Sequence, residues 1–120
     1  MVDTLFFVHS DAAAADQLAG YYRAQGWQVE STRPTDPDAL DSIVRTRPVA
    51  LVFCLDSECA ADVHGLAEQV VGDARISRPL MVFAGGSPDD IARARQNMPF
   101  GVFVRMDELA WVLKRLAVRS

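Results

Sequence analysis

The side chains that could do chemistry gather just after the apolar segments of this chain. Cys54 follows Val49-Ala50-Leu51-Val52-Phe53 and precedes Leu55-Asp56. A thiol at the carboxyl end of a central strand stands where α/β folds place their sites. It becomes a nucleophile or redox group only if a positive neighbour favours the thiolate, and His9 and Arg105 are the candidates for that role. The competing reading is a small buried apolar residue, the usual behaviour of a cysteine outside a disulfide. Asp11 and Asp56 could hold a cation or a phosphoryl group, or could serve as a helix cap and surface charge. Gly85-Gly86-Ser87 could cradle an anion at a helix start, or form a flexible turn with a serine cap. Asp62-Val63-His64-Gly65 resembles the Asp-x-His start of a cobalamin-binding motif. That motif belongs after the first strand and needs a later glycine, where this chain has Ala67. His64 is therefore expected on the solvent side of a helix.

These residues need elements to position them. Apolar runs alternate with helical patterns five times. Leu5-Phe6-Phe7-Val8 is continuous, aromatic and β-branched, as a buried strand is. Ser10 or Asp11 then caps an Ala-rich helix carrying Ala14, Ala15, Leu18 and Tyr22 on one stripe and ending near Gly26. Trp27 to Ser31 alternates, which suits a strand nearer the sheet edge. Asp36-Pro37-Asp38 reads as a cap with proline at the first helical position, and the helix carries Leu40, Ile43 and Val44 up to Pro48. Val49–Leu55 is the most apolar strand and is placed centrally. Val63, Leu66, Ala67, Val70 and Val71 stripe a third helix that closes near Gly72. Leu80–Ala84 is the fourth strand. Ser87-Pro88 starts a fourth helix, with Ile91, Ala94 and Met98 inward. Phe100–Val104 is the fifth strand, and a last helix from about Asp107 turns Leu109, Val112, Leu113 and Leu116 inward.

Five βα units with short connections require right-handed crossovers and a parallel sheet covered on both faces. The expected class is α/β, a flavodoxin-like three-layer (βα)5 arrangement with a five-stranded parallel sheet in the order 2-1-3-4-5. No linker or repeat interrupts the 120 residues, so 1–120 are read as one domain.

Composition removes several classes. The net charge is −4 with no basic run, so a nucleic-acid partner is not expected. The longest apolar stretches fall far short of the roughly twenty residues that cross a bilayer. Nothing resembles a signal peptide, and a cytoplasmic location is the expectation. Cys54 and Cys59 make neither a disulfide framework nor a zinc pattern.

Over essentially its whole length the chain resembles a degenerate response-regulator receiver domain. Gly26-Trp27-Gln28-Val29 resembles that family's approach to strand two, and Asp38-Ala39-Leu40 its acidic-Ala-Leu in helix two. Pro48 and Pro79 precede strands three and four, and Phe103 takes the place of an aromatic in strand five. The resemblance implies a site of five positions: an acidic pair that binds Mg²⁺, a phosphorylated aspartate, a hydroxyl and a lysine. A carboxylate attacks a phosphoryl donor only when a cation offsets the charge gathering between them. Carried over, the acidic pair falls on His9 and Ser10, the phosphoacceptor on Cys54, the hydroxyl on Ala84, and the lysine on Met106. Arg105 takes the last place if the register slips by one.

The resemblance therefore implies a pseudo-receiver that signals in a bacterial-type pathway by binding protein partners, with no enzymatic activity, metal or cofactor. Trp111 lies off the inward stripe of the last helix, on the side shared with Arg115 and Val118, a frequent recipe for an interface anchor. Partner binding is expected there, with a homodimer through the α4–β5–α5 face as one form of it. The alternatives are a receiver phosphorylated at Asp56 or Asp11, and a redox or small-ligand-binding flavodoxin-like protein using Cys54.

Overall fold

Alternate residues of each apolar run face opposite sides, and the two sides build separate cores. The computed structural model describes residues 4–55, 60–76 and 79–119, the side chains of residues 60, 61, 106 and 116–119 excepted. In chain order the elements are β1 (Thr4–Val8), α1 (Ala12–Arg23), β2 (Gln28–Thr32), α2 (Ala39–Thr46), β3 (Ala50–Cys54), α3 (Ala60–Gly72), β4 (Leu80–Ala84), α4 (Pro88–Asn97), β5 (Val102–Val104) and α5 (Leu109–Arg119). All neighbouring strands pair in parallel, in the order β2-β1-β3-β4-β5, as the pattern of apolar runs predicts.

On one side of the sheet, Phe6, Val8, Leu51, Phe53, Met81 and Phe83 pack with α2, α3 and α4 residues such as Ile43, Val63, Leu66 and Ala94. On the other, Leu5, Phe7, Val52, Cys54 and Ala84 pack with Tyr22 of α1 and with Leu109 and Leu113 of α5. Every residue of β3 is buried, as a central parallel strand requires. Phe53 lies opposite Phe83 and Phe83 opposite Phe103 in register. Their rings stack at 5.2 and 5.1 Å, so three aromatics run side by side from the centre of the sheet toward its β5 edge. Gly101 lets the backbone pass close to this stack, since a Cβ there would lie 2.7 Å from Phe83 Cε2.

Four boundaries or faces differ from the sequence expectation. The Asp36 side chain and carbonyl accept the Asp38 and Ala39 N–H groups, which makes a turn. Pro37 lies in that turn, and α2 begins only at Ala39. β5 keeps three residues, because the Gly101 N–H bonds to the Met98 carbonyl and holds Phe100 outside the sheet, 59% exposed. A 3-10 turn over Met106–Glu108 delays α5 to Leu109. On α3, Val71 is half exposed, whereas His64, expected in solvent, is 1% exposed.

Candidate functional site

The carboxyl ends of β1, β3, β4 and β5 form one row, and their register brings together most of the positions singled out from the sequence. Cys54 pairs with Ala84, and Ala84 with Val104. Val8 pairs with Phe53, so His9 leaves β1 level with Cys54. The Gly85 N–H bonds the Val104 carbonyl, and the Leu55 N–H bonds the Ala84 carbonyl, which closes the row. His9, Ser10, Cys54 and Ala84 therefore lie together at the strand ends. Arg105 follows directly after β5 and Met106 opens the next turn. The Met106 and Val118 side chains and all of Asp56 lie outside the described residues.

The centre of that row is closed to solvent. Cys54 and Ala84 are wholly buried and belong to the apolar layer under α1 and α5. Tyr22 shows how that layer treats charge: its phenol is pushed up to about 12, first by burial, then by Tyr21 and by Cys54 beside it. Arg105, a proposed activator of the thiol, is exposed, with its guanidinium 3.4 Å from Asp107 and 3.3 Å from Glu108. Pairing of this exposed kind is worth little energetically, but it turns the cation toward solvent while Cys54 stays sealed. His9 is buried, and its Nδ1 accepts the Asp11 N–H at 2.9 Å. That bond places the neutral ring's proton on Nε2. Beyond the row, Gly85 and Gly86 both have positive φ, 73° and 97°. A Cβ on Gly86 would lie 2.7 Å from Leu55 Cβ, so the loop closes directly onto the residue after Cys54.

Asp11 has another occupation. Its Oδ1 accepts the Ala13 and Ala14 N–H groups at 3.0 and 3.3 Å, capping α1. Ser87 likewise caps α4: its Oγ accepts the Asp90 N–H at 3.2 Å and donates to Asp90 Oδ2 at 2.9 Å. Among the described residues, no three His, Cys, Asp or Glu side chains come together as metal ligands. Mg²⁺ asks for several oxygens in near-octahedral array. A half-buried Ser10 and an Asp11 turned to its helix do not fit that demand. Asp11→Ala is expected to cost about 1 kcal/mol, with Asp11→Asn nearly neutral, read as urea midpoints. A larger loss for both variants would mark Asp11 as more than a cap.

One feature of the flanking surface escaped the sequence reading. A cavity of about 400 Å³ opens between α4 and β5, lined by Phe83, Gly86, Ile91, Arg95, Phe103 and Arg105 among others. The Arg95 guanidinium lies 5.2 Å from the centre of the Phe103 ring and caps the aromatic stack. The Ile91–Arg95 spacing of one helical turn was its only sequence signal. Trp111 is 61% exposed, with the Arg115 guanidinium 4.9 Å from its ring centre.

The sequence matches no protein-family model and no curated protein. Solved structures do match. The chemotaxis protein CheY4 of Vibrio cholerae aligns over 96% of this chain and 98% of its own, with a TM-score of 0.75 and 11% identity. The signal receiver domain of a signal transduction histidine kinase from Syntrophus aciditrophicus gives 0.73 at 20% identity, over 96% of this chain and 89% of that one. The pseudo-receiver domain of the CikA protein gives 0.55 at 20% identity, over 87% and 82%. No helix among the described residues is long and apolar enough to cross a membrane. With the strand order and both helical layers in place, the chain has the fold of CheY-like response-regulator receiver domains.

Proposed function

We propose that this chain is a pseudo-receiver: a non-enzymatic cytoplasmic signalling module that acts by docking a protein partner and is not phosphorylated. The observation that carries the reading is the buried row at the strand ends. His9, Cys54 and Ala84 are buried there and Ser10 half-buried, none of them a carboxylate, and the Asp11 carboxylate, two residues on from His9, caps a helix. A fold neighbour that is itself described as a pseudo-receiver lends support. The test is incubation with a small acyl-phosphate donor and Mg²⁺, followed by intact mass and peptide mapping. An unchanged mass is expected. One added phosphate at any residue, Asp56 and Asp11 included, would overturn the reading.

The partner-docking part rests on Trp111 and on an uneven charge. From Pro88, where α4 begins, to the end the chain carries six Lys or Arg against four Asp or Glu, whereas residues 1–87 carry six against twelve. The α4–β5–α5 side is thus the basic side of an acidic chain. Two such faces repel in a symmetric homodimer, so the occupant is an acidic segment that offers an apolar side chain to the Trp111 region. Trp111→Ala is expected to weaken that complex by about 2 kcal/mol, roughly thirtyfold in Kd. A photo-crosslinking residue at position 111 should yield a discrete heavier adduct in cells, and one at the exposed Tyr21 should not. An adduct weighing two chains would favour the homodimer, and no adduct would sink the docking reading.

A further inference from the structure

His64 is the buried polar group for which the fold gives no obvious reason. It lies on α3 with 1% of its surface exposed, and among the described residues neither Nδ1 nor Nε2 has a hydrogen-bond partner. A neutral imidazole has one N–H to donate and one lone pair to fill, and most buried polar groups find such partners. α3, which carries the ring, packs on α4 and β3, and its Val63, Leu66 and Ala67 share an apolar layer with Ala94 of α4.

The charges around it decide what a proton would do. From α4, Arg93 opposes a second positive charge, while Asp90 favours one; Glu68 on α3 itself also favours it. Asp90 already holds the Ser87 hydroxyl in the α4 cap. β3, which also packs on α3, is apolar throughout. The charged residues of α2 have other contacts: Asp41 lies 3.7 Å from Arg75, and Arg45 donates to Ser42. Burial first, then Arg93, outweigh the two carboxylates, and the ring's affinity for a proton falls below that of an ordinary imidazole.

We propose that His64 is a proton-sensitive latch: neutral, it lets α4 lie on α3, and its protonation favours a state with α4 lifted. The sign follows from linkage. Above pH 6.5, the ordinary imidazole value, docked and lifted states are both neutral at His64 and pH has no leverage. Below it the lifted state takes the proton and the docked state does not, so docking weakens. The loss continues until the docked ring is itself protonated. α4 is joined to β4 through Gly85 and Gly86, both in the left-handed region that glycine tolerates. Ile91 and Arg95 of α4 wall the cavity beside Phe103, so the latch sets the shape of that wall. Control of partner docking by acid rests on the function proposed above; the latch does not.

The test is amide hydrogen exchange on the whole chain between about pH 7.5 and pH 5.5, corrected for intrinsic rates. Amides of residues 89–97 should lose protection relative to α1, which lies on the other face of the sheet. The expected loss is up to about tenfold per pH unit below 6.5, the limit for one proton. His64→Leu should remove the slope. A flat wild-type profile, or an unchanged slope in the variant, overturns the latch. If His64→Leu does not fold, the wild-type ring is titrated by NMR. A midpoint below 6.5 shared by the α4 amides supports the latch, and a midpoint at or above 6.5, or insensitive α4 amides, overturns it. No partner is needed in either measurement, so failure here and failure of crosslinking at Trp111 are separate results.

Discussion

Cys54→Asp is expected to destabilise the domain by about 4 kcal/mol at pH 7 and to leave it unphosphorylated. The substitution restores the residue type a receiver comparison would ask for, yet the surroundings are wrong for it. Position 54 is wholly buried among Phe7, Tyr22, Ala84 and Leu109, in the layer that already pushes the Tyr22 phenol up to about 12. The exposed Arg105 faces Asp107 and Glu108, so its charge is turned away from a carboxylate there. The group will instead take a proton. Holding a carboxylic acid neutral at pH 7, about three units above its ordinary value, sets the size of the loss at ~1.4 kcal/mol per unit. The sign runs opposite to that of a salt-bridged aspartate. The folded-state pKa is raised, so the penalty is largest at neutral pH and shrinks as pH falls toward about 4. Urea midpoints at two pH values check both statements, with Cys54→Ala as the control for lost volume. Wild-type stability together with phosphate uptake would show that the row of strand ends is still a working site.

Phe83→Ala should cost a comparable 3–5 kcal/mol for a different reason. The ring is the middle member of the stack and is 1% exposed, with Phe53 inclined at 18° on one side and Phe103 at 13° on the other. Removing it deletes two aromatic contacts of about 0.5–1.5 kcal/mol each beyond the lost burial. The void would collapse poorly, because one wall is the backbone at Gly101 and its neighbours are paired strands. Phe83→Leu, which keeps most of the volume, should lose much less, about 1–1.5 kcal/mol. Chemical denaturation gives both values. A loss under about 1 kcal/mol for the alanine variant would mean that the stack adds little to the core. The alanine variant also leaves Phe103 and its Arg95 cap without support, so the cavity beside them should lose its shape first.

The layered architecture was legible because its signals are local and repeated. Five apolar runs separated by capped helices admit few topologies; of Ser10 and Asp11 it is Asp11 that caps α1, and Ser87-Pro88 starts α4. The departures have physical causes that one-dimensional patterns do not carry. Asp36-Pro37-Asp38 satisfies its backbone groups as a turn, so the cap signal was real but belonged to another structure. His64 and Val71 are the instructive pair. Seven residues apart, they lie within about 20° of each other on the wheel of α3, yet one is sealed and the other half exposed. The difference is tertiary. α4 packs against the His64 end, while beside Val71 there is a cavity of about 440 Å³ shared with Val70, Ile76 and Phe100. A stripe argument treats a helix as facing only the sheet, and α3 has α2 and α4 on its flanks as well. At the strand ends, it was the resemblance to receiver domains that put His9, Ser10, Cys54 and Ala84 together. It did not show that Asp11 turns to its helix or that Leu55 meets Gly86.

The brevity of β5 has a consequence for how the molecule meets others. An edge strand offers unpaired backbone groups along which a foreign strand can zip, and the length of that rail limits how far the zipper runs. With Val102–Val104 the rail is only three residues long. It is closed at one end by the bend at Gly101 and at the other by the 3-10 turn after Arg105. Growth of the sheet into a neighbouring molecule is therefore poorly templated on this flank. An arriving protein must be recognised there by shape and charge, which favours reversible encounters over fibrous ones.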